Sequence, residues 1–404
     1  MIKNVSIAQL KPGMYIHDLN CGWMEHPFAL NQFKITSPEQ IKVIVGHGLH
    51  EVYIDTDKGL DVADAPTVQE VKAQLDAKLV EIAASQPEPA ARYAVAEEMV
   101  KAKKAYSAAN KIITGLMQDI RLGKQIETAQ AVQVVEQMTN SIFRNKDAML
   151  SLTRLRGKDD YTFQHSVGVC TLLVSFGRAL GLDRETIQEI GVGALLHDVG
   201  KMNVPDAVLN KPGKLSDDEF TIMKSHVVHS RILLEGTPGM TQIGIDVAAQ
   251  HHERYDGSGY PLGLKHDGIS LYGQMAAIVD VYDAITTDRC YHKGMETPVA
   301  LRKLVEWSKF HFNEKLVHAF VRSVGIYPVG TLVRLESERL GIVYEQHEKN
   351  LLTPKIRVMY DSKRNNPLPP RDIDLSLTVG NGGGDKILGY EDPAKWNIDP
   401  MKYL

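Results

Sequence analysis

The sequence has few cysteines and no long apolar segment. Among 404 residues the three cysteines, Cys21, Cys170 and Cys290, are widely separated. They provide neither a disulfide framework nor a CxxC zinc motif. No run of about 18 apolar residues is present, which predicts no membrane-spanning helix. The N-terminus lacks the apolar core and cleavage site of a signal peptide. We therefore expect a cytoplasmic protein with reduced thiols.

An excess of positive charge is also missing. Lysine and arginine total 46 against 50 acidic residues, for a net charge of −4. This balance argues against a nucleic-acid polymer as a partner. A ligand that carries phosphate would need positive charge from a local site or from bound metal.

The length and the pattern of apolar residues predict a mainly α protein with several domains. Strands are expected in QLKPGMYI and HEVYID, with a helix over SPEQIKVIVGHG between them. A long helical tract follows, with an interruption near 121-RLGK-124. The tail from Ser376 contains NGGGDK and is expected to be irregular. The predicted divisions are a mixed α/β domain (1–62), a helical linker or regulatory region (63–156), a helical catalytic domain (157–325), and a strand-rich appendage with its tail (326–404).

Histidine and aspartate are concentrated in the predicted helical domain. His197 and Asp198 are adjacent at a predicted helix end, and His251 and His252 end another helix. Asp280 interrupts the apolar helix GQMAAIVDVYDAITT, where a buried carboxylate is costly unless it is paired or bound to metal. Each residue alone has an ordinary structural explanation, but together they form a candidate metal-ligand set: His165, His197, Asp198, His226, His251, His252 and Asp280.

Seven ligands exceed the needs of one four- to six-coordinate ion. Imidazole and carboxylate suit iron, manganese or zinc. We therefore predict a dinuclear centre, bridged by Asp198, in which two ions hold a hydroxide that attacks phosphorus. His229 is expected not to be a ligand. Glu253 is expected to act at the helix end or to support the metal ligands without binding an ion itself.

The motifs HDVGKMNVPDAVLNKPGKLSDDEF, HHERYDGSGYP and DVYDAITTDRCY, in this order, resemble the HD-GYP family of the HD phosphohydrolase superfamily. The resemblance covers about residues 159–324. The N-terminal QLKPGMYIHDLNCGWMEHPF…VYIDTDKG resembles a domain of unassigned function that often precedes HD-GYP domains. The resemblance implies a helical HD-type bundle.

The same resemblance implies a phosphodiesterase that opens cyclic di-GMP to pGpG, in some members followed by GMP, with iron or manganese. It places the seven ligands on the family's metal ligands and Lys201 on a catalytic position. It implies substrate contacts at Gly259, Tyr260 and Arg289. His292 is a further candidate contact, but the family often has a basic residue there and a proline in place of Cys290, which leaves the substrate contact at this point open. Members with a third metal have a glutamate where this sequence has Tyr161, so we expect two ions.

Alternatives remain open at this stage. The substrate could be 3′,3′-cyclic GMP-AMP, because base-edge contacts decide between guanine and adenine. A non-catalytic cyclic-dinucleotide sensor would be expected to lack ligands or the lysine, and this sequence has all of them. A homodimer through the helices over 92–156, and signalling-protein partners at the GYP loop, are further expectations. The remaining N-terminal histidines, including His50, are expected to be structural or exposed.

Overall fold

The computed structural model describes residues 1–21, 31–84, 93–154, 161–288, 294–347, 350–378 and 383–404, with residues 161 and 162 described as backbone only. The predicted substrate contacts Arg289 and His292, and the side chain of Tyr161, lie outside this description. Within it the mainly α prediction is confirmed, with twelve α-helices and two small antiparallel sheets. None of the described helices is both long and apolar enough to cross a membrane.

The N-terminal domain is a four-stranded sheet packed on one helix. The strands are β1 (Ile2–Ser6), β2 (Tyr15–Asp18), β3 (Phe33–Lys34) and β4 (Glu51–Asp55), in the order β1-β4-β2-β3. Helix α1 (Pro38–Gly46) lies within the predicted segment SPEQIKVIVGHG and has proline in its first turn after Ser37. This domain has its own apolar core, which includes Val5, Ile16 and Ile54.

The remaining helices follow in one run. They are α2 (Val68–Ala84), α3 (Val95–Arg121), α4 (Thr128–Arg154), α5 (Tyr161–Ala179), α6 (Arg184–Leu196), α7 (Asp206–Leu209), α8 (Asp217–Glu235), α9 (Gln242–Gln250), α10 (Leu271–Thr286), α11 (Thr297–Trp307) and α12 (Glu314–Val324). The predicted break near residue 121 is confirmed, since Gly123 adopts a φ of +76° after α3. One apolar core extends from Leu79 to Leu351, so α3 and α4 pack into the same core as the ligand-bearing helices. The domain limits stay a prediction.

Side-chain caps fix where two of the ligand-bearing helices begin. Asp183 caps α6 by accepting a hydrogen bond from the Thr186 amide at 2.9 Å. Ser216 and Glu219 form a capping box at the start of α8, because each side chain accepts from the other residue's backbone amide. These caps fix the residue at which each of the two helices begins.

The C-terminal sheet has the order β8-β7-β6-β5-β9. Its strands are β5 (Leu332–Leu335), β6 (Arg339–Glu345), β7 (Lys355–Asp361), β8 (Asn366–Asp374) and β9 (Ile387–Tyr390). The prediction of an irregular tail was wrong for β9, which pairs antiparallel with β5. After it, Trp396 packs against the buried face that contains Leu332. The apolar residues that follow β9 therefore cover one face of this sheet.

Candidate metal centre

The seven predicted ligands meet at one place among the helices. His165 lies in α5, His226 in α8 and Asp280 in α10, whereas His197 and His251 stand at the C-terminal ends of α6 and α9. Six of the seven residues are at most 6% exposed. The side chain of His252 is 25% exposed, so the centre opens to solvent on the side of this residue.

Three of the imidazoles are oriented by the backbone of their own helices. The Nδ1 atom of His197 lies 2.7 Å from the Ala194 carbonyl oxygen, with matching contacts from His226 to Met223 at 2.6 Å and from His251 to Ala248 at 2.8 Å. In the tautomer that these contacts favour, Nδ1–H donates and Nε2 presents a lone pair. This is the tautomer in which histidine binds a metal through Nε2.

The Nε2 atoms of these three histidines are buried and have no hydrogen-bond partner within the described structure; the same holds for Oδ1 of Asp198. Unpaired buried polar atoms are rare and costly. Four of them facing one small region is the arrangement expected around a bound cation. The residues present therefore fit a metal centre.

Asp198 lies between two groups of imidazoles. Its Oδ1 atom is 3.4 Å from Nε2 of His226 and 3.9 Å from Nε2 of His251. Its Oδ2 atom is 3.3 Å from Nε2 of His197 and 3.7 Å from Nε2 of His165. Each carboxylate oxygen thus faces a different pair of histidines.

Asp280 lies between the same two groups. Its Oδ1 atom is 2.9 Å from Nε2 of His165 and 3.6 Å from Nε2 of His197, while Oδ2 is 3.8 Å from Nδ1 of His252. Three overlapping groups could each hold an ion: His165, His197 and Asp280; His197, Asp198 and His251; and His226, His251 and His252.

The electrostatics suit cation binding. Burial lowers the pKa of His226 to about 3 and that of His252 to about 4, so both are neutral near pH 7, as a ligand must be. Burial also opposes charge on His197, but the adjacent Asp198 outweighs it and raises the His197 pKa to about 10. Burial alone would raise the pKa of Asp198, whereas His197 and Lys201 hold it well below its usual range. Because a metal ligand must be an unprotonated imidazole, cation binding would release a proton from His197.

Gly200 brings Asp198 close to α8. The Gly200 amide donates to Oγ of Ser230 at 2.9 Å. A Cβ atom at Gly200 would lie 2.0 Å from the His226 carbonyl oxygen, which leaves no space for a side chain. The 3-10 turn Val199–Asn203 that follows places Nζ of Lys201 2.5 Å from Oδ2 of Asp198. The spacing of Asp198, Gly200 and Lys201 in HDVGK therefore fixes the positions of both the carboxylate and the lysine side chain.

The GYP loop (residues 254–264) is held next to the open side of the centre. The buried Glu253 accepts hydrogen bonds from the amides of Leu262 at 2.7 Å and Leu264 at 2.9 Å. It thus holds the loop that lies next to the predicted metal ligands. The Tyr260 ring stacks on His252 with a centroid distance of 4.7 Å. At Gly259 a Cβ atom would lie 2.3 Å from the Arg254 amide nitrogen, so close backbone packing requires glycine.

Sequence reasoning missed the role of Asp283. Its Oδ2 atom lies 2.8 Å from Nδ1 of His165, and both side chains are buried. The carboxylate of Asp283 thus helps to orient the His165 ring. The signal was present, because Asp280 and Asp283 are spaced i, i+3 on one helical face. The half-buried His229 is absent from the ion-holding groups among the described residues.

We expect Asp283→Asn to weaken metal binding about 10–100-fold. This is the usual effect of removing the hydrogen-bond partner of a metal-binding histidine. An amide cannot supply the negative charge that favours the Nδ1–H tautomer of His165. The measurement is metal content after dialysis against graded concentrations of free metal. An unchanged binding curve would show that Asp283 does not orient this ligand.

Comparison with known proteins defines the class. A family model described as an HD domain matches residues 123–316, and one described as a domain of unknown function (DUF3391) matches residues 2–131. HD-domain phosphodiesterases are metal-dependent, in accord with the geometry above. A protein named cyclic di-GMP phosphodiesterase in Pseudomonas aeruginosa is 40% identical over 399 residues, which cover 98% of this chain and 94% of the relative. The chain belongs to this HD-GYP family of phosphodiesterases.

Two further similarities are more limited. A protein named 3′3′-cGAMP-specific phosphodiesterase 1 in Vibrio cholerae is 38% identical over 148 residues, 37% of this chain and 34% of that protein. A solved structure of an HDGYP protein from Bdellovibrio bacteriovorus aligns with a TM-score of 0.47 at 16% identity. That alignment covers 79% of this chain and 98% of the solved chain.

Proposed function

We propose that this protein hydrolyses cyclic di-GMP to pGpG at a centre of two metal ions. The observation that carries the proposal is the position of Asp198, whose two oxygens face different pairs of histidines. A carboxylate in this position can present one oxygen to each of two ions. The P. aeruginosa relative, similar along almost the whole chain, supports the choice of cyclic di-GMP.

The two ions would be held by two sets of side chains. His165 and His197 with Asp280 form one set, and His226, His251 and His252 form the other. Asp198 belongs to both. Imidazole and carboxylate donors favour iron or manganese over metals that select thiolates.

Bound metal ions supply Lewis acidity towards a phosphodiester and make water acidic enough to act near neutral pH. The chain's own contribution is charge and position. We assign Lys201 to the reacting phosphate, because its ammonium lies beside Asp198 and its side chain is 23% exposed. An ammonium there can stabilise negative charge that develops on the phosphate oxygens.

The substrate would enter on the side where His252 is exposed. Tyr260 stacks on His252 there, and Nζ of Lys224 lies 5.8 Å from the centre of the Tyr260 ring. We assign Tyr260 to contact with a nucleobase, which an aromatic ring can stack on. Gly259 shapes the loop beside it. Arg289 and His292 stay proposed contacts on the strength of the motif alone.

The experiment is a paired assay on anaerobically purified protein. We expect about two ions per chain and a kcat/KM for cyclic di-GMP at least about tenfold above that for 3′,3′-cyclic GMP-AMP, a difference of about 1.4 kcal/mol. Chromatography of the products would identify pGpG and any GMP.

The other outcomes select among the alternatives. A reversed preference would favour the cyclic GMP-AMP reaction, which the V. cholerae relative makes the second candidate. Binding of both nucleotides without turnover in metal-loaded protein would indicate a sensor. A single ion per chain would contradict the dinuclear centre.

A further inference from the structure

The N-terminal domain contacts the GYP loop directly. His50 lies in the turn before β4, and its Nε2 atom is 2.7 Å from Oδ2 of Asp256 in the loop. Next to it, Gly48 adopts a φ of +68°, and a Cβ atom there would lie 2.4 Å from Cβ of Ser258. The two backbones therefore approach so closely at this point that only glycine fits.

Asp256 shapes the loop from within. Its Oδ1 atom accepts hydrogen bonds from the amide of Ser258 at 2.9 Å and from the Ser258 hydroxyl at 2.7 Å. Its Oδ2 atom faces His50, with Nε2 of His311 at 3.9 Å. Burial raises the pKa of Asp256, but hydrogen bonds from Ser258 and His50 together bring it below the ordinary value. The group is therefore a carboxylate at neutral pH.

The N-terminal domain that carries His50 is packed firmly against the helical domain. Its ring stacks on Phe310 with a centroid distance of 4.1 Å and an angle of 12°. Nearby, the buried Glu306 of α11 accepts hydrogen bonds from Nδ2 of Asn20 at 2.9 Å and from the Tyr53 hydroxyl at 2.6 Å. A carboxylate buried with two donors from the other domain fixes the relative position of the two domains.

The far side of the same loop reaches the metal centre. The Tyr260 amide donates to the His252 carbonyl oxygen at 3.1 Å, and the Tyr260 ring stacks on the His252 imidazole. The contact with the N-terminal domain at Asp256 thus lies only four positions before the stacked Tyr260. A displacement of Asp256 would move the ring that borders the substrate.

We propose that His50 is a positioning residue for the phosphodiesterase reaction, and that the N-terminal domain holds the GYP loop in its substrate-binding conformation through the His50–Asp256 hydrogen bond. This assigns a role to a domain described only as of unknown function. The role in substrate binding rests on the proposed function, whereas the role in loop conformation does not.

The test compares His50→Ala with His50→Gln and wild type in the full chain. Loss of a hydrogen bond to a charged group is expected to reduce the competent loop population on the order of tenfold. KM for cyclic di-GMP should therefore rise about tenfold, with kcat changed less than about twofold and metal content unchanged. His50→Gln keeps an N–H donor and should recover most of the loss.

Hydrogen exchange of the amides in residues 254–264 gives a second readout that needs no turnover. We expect faster exchange in His50→Ala and near wild-type exchange in His50→Gln. The matched control is Lys309→Ala, which removes an exposed ion pair with Glu51, 3.0 Å long, between the same two domains while keeping the His50–Asp256 pair. It should leave KM and exchange unchanged.

Unchanged exchange in His50→Ala, or equal changes in Lys309→Ala, would overturn the proposal. So would a fall in kcat with constant KM in His50→Ala. If wild-type protein turns over neither cyclic dinucleotide, the proposed function fails, and the exchange comparison still decides whether His50 holds the loop.

Discussion

Asp198→Ala is expected to abolish metal binding and turnover together. The carboxylate lies within 3.9 Å of Nε2 atoms of four histidines, so its removal takes a ligand from both proposed ions. We expect kcat/KM to fall on the order of 10³-fold or more, since merely disturbing a ligand's orientation costs about 10–100-fold. Metal content by mass spectrometry and turnover of cyclic di-GMP, measured on the same preparation, check this.

Asp246→Ala is the matched control for this variant. Asp246 lies in α9 and accepts a hydrogen bond from Gln242 at 2.8 Å, outside the ion-holding groups. It should retain metal and activity. Full activity in Asp198→Ala would refute the assignment of the centre, and a loss of one ion with activity retained would refute the bridging role.

Lys201→Met is expected to lower turnover while metal remains bound. The lysine is not counted among the ligands, and methionine keeps most of its apolar length. Removing one group that stabilises charge in the transition state typically costs 10²–10³-fold in kcat. We expect a fall of that order with about the wild-type metal content, measured by steady-state kinetics and elemental analysis.

The comparison with Lys201→Arg separates two roles of the lysine. Arginine keeps the positive charge next to Asp198 but changes its shape and reach. Partial recovery of kcat in this variant would agree with a role at the phosphate. If Lys201→Met instead loses metal as Asp198→Ala does, the lysine acts by holding Asp198, from which it lies 2.5 Å, and not on the substrate.

Much of the fold was predictable because its signals are local. The Asp183 cap and the Ser216–Glu219 capping box mark helix starts, and apolar periodicity marks the helices between them. The seven predicted ligands were chosen by residue type and motif order, and the structure brings their side chains together. Strand β9 was missed because four residues after a glycine-rich segment carry little signal until β5 provides a partner.

The contacts that orient the site were less predictable because they join distant parts of the chain. His50 and Asp256 are 206 positions apart, and no spacing rule connects them. His50 was therefore expected to be incidental. Asp283 and His165 are 118 positions apart, so the i, i+3 spacing marks the face on which Asp283 lies, whereas its partner is known only from the packing of α10 against α5. Long-range pairs of this kind are visible only in the folded chain.

The way in which the imidazoles are oriented has a consequence for how such sequences can change. His197, His226 and His251 rely on main-chain carbonyl groups, which every amino acid supplies. The side chains at positions 194, 223 and 248 can therefore change, within the limits of packing, without loss of these hydrogen bonds. His165 relies on the carboxylate of Asp283. Across an alignment of relatives, positions 165 and 283 should consequently vary as a pair, whereas the other three histidines should show no such linked neighbour.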